Sequence, residues 1–131
     1  MVMYFRTSNI VRVLLIAALV TFSGCDTFDS DCDTAAYPAI ELVVKNEAGE
    51  YVCDQVTAVV FEDNFRDTLV ESRINEAGQV ILLSGAFERE GVYSLIITSD
   101  EYETYTDTQI VVRDGQCHVK TRELSVVVEP K

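Results

Sequence analysis

The chain has 131 residues, with 22 acidic side chains against ten basic, a formal net charge of −12 and a hydrophobic share of 48%. That length suits one domain with its own core and is too short for two once an N-terminal leader is set aside. The acidic balance makes nucleic acid and anionic lipid surfaces poor partners and leaves solubility, divalent cations or basic partners as what the charge favours.

The first feature is an apolar run, Val13 to Phe22, behind Arg6 and Arg12. It is well short of the roughly 20 residues that a membrane-crossing helix needs and has the length of a signal-peptide core. The run ends in Phe22-Ser23-Gly24-Cys25, which resembles the bacterial lipobox, although Phe22 stands where that motif usually has Leu. The resemblance implies that residues 1–24 are a lipoprotein signal peptide and that Cys25 becomes an acylated N-terminus carrying palmitate-type chains. The mature protein is then expected in the bacterial cell envelope, lipid-anchored to the membrane and periplasmic or surface-facing. The alternative is an ordinary secretory signal cut near Ser23 or Gly24, with Cys25 left as a thiol. Each buried methylene contributes about 0.8 kcal/mol, so several chains on one cysteine hold far more firmly than one. The leader removes two basic residues and no acidic ones, which takes the charge from −12 to −14.

Residues 25–37 include DTFDSDCDTAAY, rich in aspartate and without apolar periodicity, and read as an acidic flexible tether. The domain proper is expected over 38–131. Ala39 to Lys45 alternates Ile40, Leu42 and Val44 with polar residues, the period of a half-buried strand. Asn46 to Glu50 supplies turn chemistry, and a second strand is expected over Tyr51 to Phe61 from its β-branched content. Glu62-Asp63-Asn64 turns the chain into a third strand, Phe65 to Ser72. After the Asn75 and Gly78 loop come a short fourth strand, Val80 to Leu83, a polar loop from Ser84 to Gly91, and a fifth strand, Val92 to Thr98. Glu101 to Val112 reads as a long strand that bends or bulges midway, and Cys117 to Val128 as the last. Seven strands with turn signals between them predict an all-β fold, a seven-stranded antiparallel Greek-key β-sandwich.

With Cys25 assigned to the anchor, Cys32, Cys53 and Cys117 remain in an oxidising setting. Cys53 and Cys117 lie in apolar, β-rich sequence and Cys32 in a polar run, which predicts a Cys53–Cys117 disulfide with Cys32 free or variable. The absence of CxxC spacing and the presence of a single histidine, His118, argue against a zinc centre.

Several stretches resemble bacterial carboxypeptidase regulatory-like domains, which are transthyretin-like, prealbumin-type β-sandwiches: Pro38-Ala39-Ile40, Val52 to Ala58, Ala86 to Tyr93, Glu101-Tyr102 and Asp114 to Val119. The family often has Gly-Tyr where this chain has Glu101-Tyr102. The resemblance covers Pro38 to Pro130 and implies an accessory binding or scaffolding module; no catalytic residue and no cofactor carry over.

The residues therefore predict a non-enzymatic, lipid-anchored envelope module, with the membrane reached through Cys25 and an envelope protein or glycan as partner. Three other readings compete with it. Tyr93, Tyr102 and Tyr105 offer stacking faces for carbohydrate, with core packing of Tyr93 as the competing role. Glu88 with a neighbouring carboxylate would make a small acidic hydrolase. Glu62, Asp63, Asn64 and Asp67 are weak calcium candidates, and no other metal site is expected.

Overall fold

The computed structural model describes Cys32–Lys131, so the leader and Cys25 lie outside the described residues. The fold is all-β, with two sheets of four strands. In chain order the strands are β1 (Ile40–Lys45), β2 (Thr57–Glu62), β3 (Phe65–Thr68), β4 (Val70–Ile74), β5 (Val80–Gly85), β6 (Gly91–Thr98), β7 (Tyr105–Val112) and β8 (Arg122–Val127). One sheet runs β4-β5-β1-β8 and the other β3-β2-β6-β7.

β1 behaves as its alternation dictates. Ile40, Leu42 and Val44 are fully buried, and Glu41, Val43 and Lys45 lie on the other face. The strand sits centrally in its sheet, antiparallel to β5 and parallel to β8, with Ile40 opposite Arg122 and Lys45 opposite Val127. That parallel pair corrects the expectation of a wholly antiparallel sandwich.

Among the described residues there are eight strands, not seven. The expected third strand, Phe65 to Ser72, is two strands, because buried Leu69 marks the point where the chain leaves β2 for β5. A single straight strand cannot pair in both sheets. The expected second strand also begins later, at Thr57. Val52 and Cys53 are both buried, and Cys53–Gln55 form a 3-10 turn closed by the Gln55 amide, which donates to the Val52 carbonyl at 2.9 Å.

The expected bulge is present in β7. Tyr93 faces Ile110 and Leu95 faces Asp107, so Thr108 and Gln109 together oppose Ser94, and Gln109 takes a φ of 64°. Residues 101–104 precede this strand, with Tyr102 bridging to Pro130.

Two turns are built alike from the same four residues. In Asn46-Glu47-Ala48-Gly49 the Asn46 side-chain oxygen accepts from the Ala48 and Glu50 amides at 3.0 and 2.9 Å. In Asn75-Glu76-Ala77-Gly78 the Asn75 oxygen accepts from Ala77 and Gln79 at the same two distances. Gly49 and Gly78 hold φ of 84° and 85°, the left-handed region that glycine enters without steric cost.

The core lies between the sheets and centres on Ile40, Leu42, Val44, Val60, Tyr93, Leu95 and Ile97. Tyr93 is the largest fully buried side chain; its ring meets Phe65 edge-on at 6.1 Å and its hydroxyl donates to the Arg89 carbonyl at 2.8 Å.

The disulfide joins Cys32 to Cys117, with Cα atoms 5.3 Å apart, which corrects the expected Cys53–Cys117 bond. Cys53 is 2% exposed beside Val44, where its thiol donates to the Val44 carbonyl and lies 3.4 Å from the Val44 amide. Cys32 and Cys117 instead lie by the residues that lead into the start of β1, about four strand residues, or roughly 13 Å, from that point. Burial pushes the Cys53 thiol up, away from ionisation.

Candidate functional site

The disulfide gathers a polar cluster. Cys32 is followed by Asp33 and Cys117 by His118, so the bond sets a carboxylate beside the chain's single imidazole. His118 Nε2 lies 2.9 Å from Asp33 Oδ1 and Nδ1 lies 2.6 Å from Glu88 Oε1. Tyr37 covers the ring, with centroids 4.2 Å apart, and its hydroxyl donates to Asp33 Oδ2 at 3.1 Å.

Each partner is placed by local backbone. Asp33 Oδ1 also accepts from the Ala35 amide, an Asx turn that holds the carboxylate in place. Glu88 and Tyr37 exchange two bonds: the Glu88 amide donates to the Tyr37 carbonyl and the Tyr37 amide donates to Glu88 Oε1, both at 2.8 Å. The segment from Cys32 to Tyr37, expected to form part of the tether, is thus fixed to the sandwich by a covalent bond and by side-chain and backbone hydrogen bonds.

The charges follow from these contacts. The Ala35 amide holds the Asp33 carboxyl below its ordinary 3.8, with Tyr37 and His118 adding to the effect. The Tyr37 amide, then His118, holds Glu88 below 4.5. Burial pulls the His118 imidazole down, but hydrogen bonding and charge from Glu88 and Asp33 outweigh it and raise it above 6.5. A protonated ring donates from both nitrogens, one to each carboxylate; a neutral ring has only one N–H and would turn a lone pair toward the other acid. The Glu88 side chain is 35% exposed against 59% for Asp33, so the Glu88 contact is the better shielded of the two.

This geometry is a clasp. An imidazole with both nitrogens committed has no lone pair for a general base and no unshared proton for a general acid. The clasp should be strongest between about pH 4.5 and 6.5. The His118 contribution is complete below its ordinary value and disappears as pH rises through its raised one. Those of the carboxylates are complete above their ordinary values and disappear as pH falls through their lowered ones. Urea unfolding of the wild type and His118→Gln from about pH 3 to about pH 8.5 should give a stability difference that is largest between about pH 4.5 and 6.5 and shrinks on both sides of that window; a difference independent of pH over the whole span would contradict the assignment.

The other expected site residues are dispersed. Glu62 accepts from the Val92 amide at 2.5 Å and approaches Arg89 at 3.8 Å, and Asp67 accepts from the Ala86 amide at 2.8 Å. Both thereby brace the β5–β6 loop, while Asp63 and Asn64 are exposed in the β2–β3 turn. Among the described residues no group of three His, Cys, Asp or Glu side chains is arranged to hold a metal ion. Tyr93 is core and offers no stacking face, and Tyr102 and Tyr105 are half-buried against that core. Glu88 does have a carboxylate neighbour, Asp33, but with the imidazole between them.

Clefts lie elsewhere. One is lined by Asp54, Gln55, Thr98 and Asp100, and another crosses the outer face of the β4-β5-β1-β8 sheet between Arg73, Glu41, Leu82 and Glu123. Among the described residues no helix is long and apolar enough to cross a membrane. Asp33 and Tyr37 were not anticipated; the available signal was that each of the bonded cysteines precedes a chargeable residue of complementary sign. Compared with known protein families and with curated proteins, the chain matches none.

Proposed function

We propose that this chain is a non-enzymatic, lipid-anchored module of the bacterial cell envelope, a prealbumin-type β-sandwich attached through Cys25 that presents loops or a sheet edge to another envelope component. The observation that carries the reading is the junction at Cys25: a basic leader, a short apolar run and Ser-Gly-Cys lie immediately ahead of an acidic segment and a compact β domain. The two four-stranded sheets accord with the sandwich that the sequence resembles. The commitment of His118 to two carboxylates favours a binding or structural role over hydrolysis.

Globomycin treatment of cells making the protein should cause the unprocessed precursor to accumulate, and mass spectrometry of the processed form should find acyl chains on Cys25. Unchanged processing, or an unmodified N-terminus, would remove the anchor. Cross-linking in intact envelopes should return one reproducible partner; hydrolysis of a peptide or glycan by the isolated protein would overturn the non-enzymatic assignment.

A further inference from the structure

Two observations meet at the disulfide end of the sandwich. The first is reach. Only seven Cα–Cα steps separate Cys25 from Cys32, so a lipid on Cys25 is at most roughly 25 Å of chain from the folded body. Because Cys32 is bonded to Cys117, that body begins at this end and no longer tether is available to it.

The second is the β5–β6 loop, which lies at the same end. Ala86 and Glu88 take φ of 55° and 53°, the left-handed region that non-glycine residues occupy only under constraint. The constraint is visible on both sides of Phe87. The Ala86 amide is held by Asp67 and the Glu88 backbone and carboxylate by Tyr37. Only the residue between them is unheld, and its ring points outward, 46% exposed, with Tyr37 39% exposed close by. Two strained residues thus present one aromatic side chain to the surroundings, beside the segment that leads to the anchor.

Tyr37, with an apolar ring and a polar hydroxyl, suits the level of lipid headgroups, and the wholly apolar Phe87 ring suits the boundary between headgroups and acyl chains just beneath. The charges of this end nearly balance. Asp33, Glu88 and Glu90 are met there by His118, Arg89, Lys120 and Arg122, so an electrically neutral, zwitterionic interface fits.

We infer that the disulfide end of the sandwich lies against the bilayer, with the Phe87 ring, flanked by Tyr37, seated among zwitterionic headgroups. This rests on the lipid anchor proposed above. It adds an orientation: the Asn46 and Asn75 turns face away from the membrane, toward any partner.

The chain contains no tryptophan, which makes the test direct. Phe87→Trp places a single fluorophore in the contact, and Ala77→Trp places one in the Asn75 turn, a full length of β5 away. The processed, acylated proteins are reconstituted into phosphatidylcholine vesicles containing brominated lipid, and flotation is measured alongside. Both positions are exposed, and thermal melts matching the wild type establish that the variants are folded. The expected result is a blue shift and loss of emission for Phe87→Trp, with Ala77→Trp unchanged. Floating protein in which neither position is quenched, or both equally, overturns the orientation and leaves the anchor intact. Protein that does not float removes the anchor and this inference with it. A shift seen in native envelopes but absent in pure lipid overturns the lipid contact and assigns Phe87 to a protein partner.

Discussion

Reduction of the Cys32–Cys117 bond is expected to lower the unfolding free energy by about 4.5 kcal/mol, the chain-entropy value for closing a loop with this separation of 85 residues. Domains of this size are commonly stable by only about 5–15 kcal/mol, so the loss would bring the protein close to its threshold. With about 4–8 °C in melting temperature for each kcal/mol in a domain of about 100 residues, a fall of roughly 18–36 °C should follow. Both cysteines are exposed, so reductant should reach the bond without prior unfolding. The measurement is urea denaturation with and without reductant, repeated on Cys32→Ala/Cys117→Ala. The Cys53→Ala variant is the control: it should remain as sensitive to reductant as the wild type, and insensitivity would restore the Cys53–Cys117 pairing.

Tyr93→Ala carries the second large effect. The ring is fully buried in β6, whose Tyr93 lies opposite Ile110 of β7, and it meets Phe65 edge-on. Emptying such a site costs about 3–5 kcal/mol from lost transfer energy and the cavity left behind. Tyr93→Phe retains the ring and removes only the bond to the Arg89 carbonyl, and should cost about 1 kcal/mol. Tyr102→Ala, at a half-buried position outside the strands, should cost less than Tyr93→Ala. Chemical denaturation of the three would rank them; a Tyr102→Ala loss equal to that of Tyr93→Ala would place the core elsewhere.

Much of the architecture was legible because the strands carry period-two burial. β1, β6 and the β7 bulge follow from alternating residues and from the break in that alternation. What escaped depended on contacts between distant segments. Leu69 is one apolar residue in a polar run, and nothing local reveals that it carries the chain from one sheet to the other. The disulfide was misassigned because apolar neighbours indicated burial, and burial at Cys53 meant a protected thiol, whereas the exposed Cys32 and Cys117 are those that pair. Asp33, Glu88 and His118 are separated by up to 85 positions, so their convergence became visible only once that bond was known.

The bond also determines how the protein bears load. Tension applied across the described domain, between Cys32 and Lys131, passes from Cys32 through sulfur to Cys117, and the first seven strands lie inside the covalent loop, off the line of force. Only the fourteen residues from His118 to Lys131, which include β8 alone, can be drawn out. Their contour length is about 50 Å, against roughly 340 Å for the whole folded segment without the cross-link. The oxidised protein would therefore act as a short, nearly inextensible strap, and the reduced one as a long elastic tether.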